Sequence, residues 1–102
     1  MTKYKAKPVV IDHHRFPSQR EGNRYLQLKL LFRAGQIFDL ALQPEFEFVL
    51  NGKKCFSYFA DFGYTEKDGT KIIEDTKGFR TPLYKLKKRL IEEQHGIRIT
   101  ET

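Results

Sequence analysis

The stretch FSYFADFGYTEKDGTKIIEDTKGF, residues 56–79, limits what this chain can fold into more than any other. Two runs rich in aromatic and β-branched residues flank a polar turn with Asp68-Gly69 at its tip, which is the pattern of two strands folded back on each other. A second such signal lies just upstream. Asn51-Gly52 separates FEFVL from CFSYFADF, and this dipeptide favours a two-residue hairpin turn. FEFVL, CFSYFADF and KIIEDTKG are therefore expected to form a three-stranded meander. The apolar runs are interrupted by acids, Asp61 in FADF and Asp75 in IIEDTKG, and Lys77 follows two positions after Asp75.

Helical signals bracket these strands. In PSQREGNRYLQLKLLFRAGQ, Ser18 is a candidate N-cap and Glu21 stands three residues on, as in a capping box. Tyr25, Leu28, Leu31 and Phe32 recur at helical spacing and Gly35 supplies a stop. In TPLYKLKKRLIEEQHG, Thr81 caps, Pro82 suits the first helical position and Gly96 ends the helix. Leu83, Leu86 and Leu90 share one face, expected to meet the core. IRIT can then return to the sheet as a last strand. The order is αβββαβ, a single-domain α/β (α+β) fold with a mixed sheet flanked by two helices. The domain is expected over residues 8–102, after a basic, flexible N-terminus over residues 1–7. A length of 102 residues suits one domain.

Charge narrows the partners. Lys and Arg number 19 against 13 Asp and Glu, a formal net charge of +6. That excess suits a polyanion such as nucleic acid, and equally a basic domain with no such partner. The single cysteine, Cys55, allows no internal disulfide, and no Cys/His metal box is present. A reduced, cytoplasmic setting is expected. No apolar run approaches the ~20 residues of a membrane span, and the N-terminus lacks the apolar segment of a signal peptide. His13 and His14 read as surface residues of a turn, His95 as the end of a helix, and Cys55 as a small core residue.

Side chains alternate along a strand, so Asp75 and Lys77 share a face while Glu74 points away. Folding about Asp68-Gly69 brings Asp61 toward Asp75. Two adjacent carboxylates repel unless a cation neutralises them. Mg²⁺ suits the task, because it takes one or two carboxylates, keeps waters and accepts phosphate oxygens. Lys77 would orient an attacking water and stabilise charge developing on the phosphate. The competing interpretation is an ordinary ion pair between Asp75 and Lys77 on a solvated face. The spacing alone does not separate the two.

The order αβββαβ, FAD with Asp61, and EDTKG with Asp75 and Lys77 resemble the PD-(D/E)xK nuclease superfamily. FPSQREGNRYLQLKLLFRAGQIFDLALQPEFEF, YFADFGY, IIEDTKGFRT and YKLKKRL are similar to a small phage-encoded family within it, described as nucleases or Holliday-junction-resolvase-like proteins. This resemblance spans about Pro8 to Ile99. It departs from the superfamily pattern at Ala60, which stands in place of the proline before the first acid. It implies a restriction-endonuclease-like core and a metal-dependent DNA endonuclease acting on branched or junction DNA. Phage recombination, replication or packaging would be its setting. Asp61 and Asp75 would bind Mg²⁺ or Mn²⁺, Glu21 would assist, and Lys77 would aid the attacking water. Glu74 is the alternative to Asp75 should a bulge shift the register.

For Glu21, the capping box is a sufficient structural reason by itself. Gln43 resembles a recurring polar position of the family, although a polar residue ahead of Pro44 needs no function. Arg20 and Arg24 beside Glu21, and Arg80, Lys85 and Lys88 around the second helix, are candidate DNA contacts; a solvated basic face is the plain alternative. A junction has two strands to cut, so the implied assembly is a homodimer, with other phage recombination or packaging proteins as further partners. A non-catalytic DNA-binding domain on the same fold is the main alternative function.

Overall fold

The computed structural model of the chain describes residues 7–76 and 80–102. Residues 1–6 of the expected flexible N-terminus, and Lys77 with its expected catalytic role, lie outside the described residues. Two short strands, β1 (Val9–Ile11) and β2 (His14–Phe16), form an antiparallel hairpin. Its turn residues Asp12 and His13 both take positive φ, and His13 and His14 are exposed as expected. Helix α1 (Gln19–Arg33) follows, capped by the Ser18 hydroxyl, which accepts from the Glu21 N–H at 3.2 Å.

The main sheet has four strands in the order β3-β6-β7-β8, namely β3 (Ile37–Leu42), β6 (Phe62–Glu66), β7 (Lys71–Asp75) and β8 (Ile99–Glu101). The first three run antiparallel, and β8 returns parallel to β7 after helix α2 (Pro82–His95). Thr81 caps α2, Pro82 opens it, and Gly96 closes it with φ 65. The result is one α+β domain with two helices and a mixed sheet.

The strand assignment needs two corrections. FEFVL belongs to β4 (Glu45–Leu50), which is not part of the main sheet; it pairs with β5 (Lys53–Phe59) in a two-stranded hairpin. IFDLAL, unassigned in the sequence, is the true first strand of the sheet. Asp39 obscures its apolar run. That residue adopts φ 54 at an irregularity between Phe38 and Ala41, a conformation that aspartate tolerates better than most residues.

CFSYFADF, expected as one strand, breaks at Ala60-Asp61 into β5 and β6. The pairing nevertheless continues through the break: Leu42 opposes Phe62 and Glu45 opposes Phe59. So β3–β4 and β5–β6 are the two arms of one long, bent hairpin. Its tip is Asn51-Gly52, with φ 52 and 75, the turn that this dipeptide favours. Gln43 N–H donates to Asp61 O at 2.9 Å, and Ala60 N–H to Pro44 O at 3.1 Å, across the bend. Pro44 has no N–H to give, and Gln43 takes φ 50, so one arm cannot run straight here.

A small apolar cluster lies on each side of the main sheet. Phe16, Tyr25, Leu28, Ile37 and Phe62 pack under α1. Tyr58, Ala60, Ile91 and Ile99 pack between α2 and the hairpin arm. Dimensions of 45 × 41 × 21 Å make the molecule thin. Several apolar residues consequently stay out of the core. Leu83 and Leu86 of α2 are exposed, contrary to expectation, and the helix buries Ile91. Phe32 and Cys55 are exposed as well. Among the described residues, no helix is long and apolar enough to cross a membrane.

Candidate active site

The bend in the long hairpin positions Asp61. The Asp61 N–H donates to Glu74 O at 2.9 Å, so the bend is laid against the carboxyl end of β7. The Asp61 carboxylate accepts two bonds at one oxygen, from the Thr76 N–H at 2.6 Å and the Thr76 hydroxyl at 2.7 Å. Phe62 opposes Glu74 in the ladder, which brings Asp61 alongside Asp75. The two acids that the sequence singled out thus lie side by side although they come from different strands. Gln43 stands opposite Asp61 in the other hairpin arm.

Alternation along β7 sends its two acids to opposite faces, as expected. Glu74 points to the α1 side and is buried. Arg24 grips it with two parallel bonds, Nε to Oε1 at 2.8 Å and Nη2 to Oε2 at 2.6 Å. The Tyr64 hydroxyl also donates to Glu74 Oε2. Burial, then the bond to Glu74, pushes the Tyr64 phenol up to about 12. The hydrogen bond to Glu74 pushes the Arg24 guanidinium above its ordinary range.

Asp75 points to the α2 side and is fully buried. The Tyr58 hydroxyl, on β5, donates to Asp75 Oδ2. Burial first, and then this bond, raise the Tyr58 phenol well above its ordinary value. Tyr58 stacks on Tyr84 of α2, with ring centroids 6.3 Å apart. Tyr84 donates to Glu101 Oε2 at 2.8 Å, and Arg80 pairs with Glu101 Oε1 at 3.0 Å. Glu101 sits beside Asp75 in the parallel ladder. The bond from Tyr84, ahead of the nearby Arg80 and Lys88, holds the Glu101 carboxyl below its ordinary range.

Glu21 lies on the buried face of α1 with Gly22, Tyr25 and Leu28. Its backbone N–H supplies the capping bond to the Ser18 hydroxyl. Of the expected DNA contacts, Arg24 is half-buried and its guanidinium is engaged by Glu74. Arg20 is exposed and donates to the Thr102 carbonyl at 2.7 Å. Lys85 and Lys88 line one depression with Arg80, Arg89, Glu92 and Glu101. Within it Lys88 pairs with Glu92 at 3.4 Å. His95 ends α2, and its Nε2 is 2.7 Å from Glu47 O.

The residues that sequence reasoning passed over are Tyr58 and Tyr64, each hydrogen-bonded to a carboxylate. Their sequence positions carry only an aromatic signal, which core packing explains equally well. Asp61 and Asp75 are hard oxygen donors of the kind that Mg²⁺ accepts, and neither histidine nor cysteine lies beside them. Among the described residues, no three His, Cys, Asp or Glu side chains form a group that would hold a metal ion. A hard divalent cation accepts two such carboxylates, with waters completing its shell.

Fold and site together define a small α+β domain with two acids apposed where a bent hairpin meets a central strand. The chain belongs to the family described as "Protein of unknown function (DUF1064)", whose model matches residues 1–100. No curated protein and no solved structure matched the chain.

Proposed function

We propose that this protein is a divalent-metal-dependent DNA endonuclease, selective for branched or junction DNA. The observation that carries this reading is the docking of Asp61 onto Thr76, the middle residue of Asp75-Thr76-Lys77. Two local sequence features, FAD and DTK, meet although 15 residues separate Asp61 from Thr76. The core order of helix, three antiparallel strands, helix and parallel strand also supports it.

Asp61 and Asp75 would hold Mg²⁺ or Mn²⁺, and Glu21 on α1, which forms no three-acid group with them, would assist only through the ion's waters. Bound there, the ion would neutralise the paired carboxylates and the charge building on the scissile phosphate. Thr76 fixes the Asp61 carboxylate, Tyr58 fixes that of Asp75, and Lys77 takes the role of orienting the attacking water. Arg20 on one side, and Lys85 with Arg80 and Lys88 on the other, would contact the phosphate backbone. Exposed Leu83 and Leu86 on α2 are what favours a homodimer.

The test is cleavage of labelled linear duplex, single-stranded, flap and four-way-junction DNA, with Mg²⁺ or Mn²⁺ and with EDTA. Metal-dependent cutting is expected, strongest on a branched substrate. Asp61→Asn and Lys77→Ala are each expected to reduce it by about a hundredfold or more. Binding without cutting under every metal condition would replace this reading with a non-catalytic DNA-binding module. The burial of Asp75 against Tyr58, as in a structural hydrogen-bond network, is the feature that favours that second reading.

A further inference from the structure

An open cavity of about 630 Å³ lies between α1 and the carboxyl ends of the parallel strands β7 and β8. Gln19, Asn23 and Gln27 line it at four-residue spacing, which places three carboxamides along one ridge of the helix. Arg20 and Arg24 form a second row beside them, and the far wall is Thr76 and Thr102. Among the described residues, no Asp or Glu side chain belongs to this lining, and Arg20 donates to the Thr102 backbone oxygen there at 2.7 Å. Thr76 is the residue that holds Asp61, so the cavity adjoins the residue that fixes one of the paired acids, although neither acid lines it.

The chemistry of the lining is specific in two ways. Arg20 supplies positive charge at the rim, which suits a phosphate. Carboxamides, however, present acceptors as well as donors, and a phosphate calls for donors only. The edges of nucleobases present both, and Asn and Gln are the side chains that pair with them in bidentate fashion. Orientation is partly preset: Arg24 Nη1 donates to Gln27 Oε1 at 3.0 Å, so the Gln27 carboxamide nitrogen is left to donate elsewhere. A convex helix ridge enters a duplex groove, whereas a concave trough between a helix and strand ends accepts an unpaired strand.

We infer that this trough binds a single-stranded nucleic-acid segment, with a phosphate at Arg20 and an unpaired base against Gln19, Asn23 and Gln27. The segment is the unpaired part of the branched substrate, so the inference rests on the function proposed above. It makes an unpaired arm, rather than the branch point alone, the feature that the protein selects.

The experiment is fluorescence anisotropy with a labelled single-stranded oligonucleotide in EDTA, so that binding is read without cleavage. The same oligonucleotide carrying abasic positions, and a blunt duplex of equal length, serve as the competing probes. The wild type is expected to favour the single strand over both. Asn23→Ala/Gln27→Ala, at two exposed positions, is expected to lose about tenfold in single-strand affinity. That variant is also expected to stop distinguishing the abasic probe. Arg20→Ala is expected to weaken single-stranded and abasic probes alike and to flatten the salt dependence. Unchanged affinity in Asn23→Ala/Gln27→Ala, equal binding of the abasic probe by the wild type, or no single-strand binding at all would each overturn the inference. Cleavage of branched DNA by a wild type that fails these binding tests would leave the nuclease standing without this site. Base-dependent binding with no cleavage under any metal would leave the site standing without the nuclease.

Discussion

Arg24 and Glu74 are 50 residues apart in sequence, yet Arg24 Nε and Nη2 bond both oxygens of the Glu74 carboxylate, at 2.8 and 2.6 Å. The Arg24 side chain is 27% exposed and that of Glu74 2%. This pair fastens α1 to β7 one residue before Asp75. Geometry of this kind is strong because two parallel bonds fix orientation as well as distance.

Removing the cation leaves the buried acid with the Tyr64 hydroxyl but without its paired charge. Arg24→Ala is expected to cost ~3 kcal/mol of stability, because the loss of one partner costs more than the pair contributes. Glu74→Gln, which keeps the shape without the charge, is expected to cost less. Urea unfolding of the three proteins checks this, and equal midpoints for wild type and Arg24→Ala would refute it.

Tyr64 gives a signature at high pH. Its phenol is pushed up to about 12 from an ordinary 10, by burial and then by the bond to Glu74. The fold favours the protonated form. The associated stability is therefore complete below pH 10 and is lost as the pH rises from 10 toward 12. Tyr64→Phe is expected to remove that part of the alkaline loss, and to cost about 1 kcal/mol at neutral pH through the missing hydrogen bond. Difference titration of phenolate absorbance, with unfolding measured at each pH, is the check. A variant with the same alkaline slope as the wild type would refute the assignment.

Gly22 is buried where α1 meets the first hairpin. A Cβ at this position would lie 2.7 Å from Val9 Cγ1 and 3.2 Å from Ile11 Cδ1. Valine is stiff at χ1 and cannot swing aside cheaply. Overpacking costs ~1–3 kcal/mol. The gain in helix propensity from glycine to alanine returns only about 1 kcal/mol. Gly22→Ala is thus expected to lower Tm by several degrees, and Val9→Ala in the same chain to lessen the effect of the added methyl. Additive losses in the double-mutant cycle would show that the contact does not matter.

Gln94 of α2 anchors the free end of the long hairpin. Its carboxamide accepts from Val49 N–H and donates to Val49 O, both at 2.7 Å, as a neighbouring strand would. Gln94→Ala is expected to cost about 1 kcal/mol. The loss should appear as reduced hydrogen-exchange protection in β4 and β5, with β6 and β7 unaffected. A uniform loss across the sheet would mean that the hairpin arm and the sheet open together.

The sequence by itself determined the points where the chain turns and where its helices start and stop. Ser18, Thr81 and Gly96 act within their own turn, and Asn51-Gly52 needs only the conformations open to those two residues. Alternation along a strand also sufficed to send Glu74 and Asp75 to opposite faces. The tertiary structure alone decided which strands make up the main sheet. Six residues of β3 were legible only as a partner for β6, because Asp39 broke their pattern. It also decided that Asp61 sits at a bend rather than inside a strand, since the cause is Pro44 in the opposite arm. Leu83 and Leu86 have the spacing of a core face and are exposed nonetheless. Periodicity names the residues that share a face, whereas burial depends on what lies across from it. That partner comes from distant sequence, as Arg24 does for Glu74.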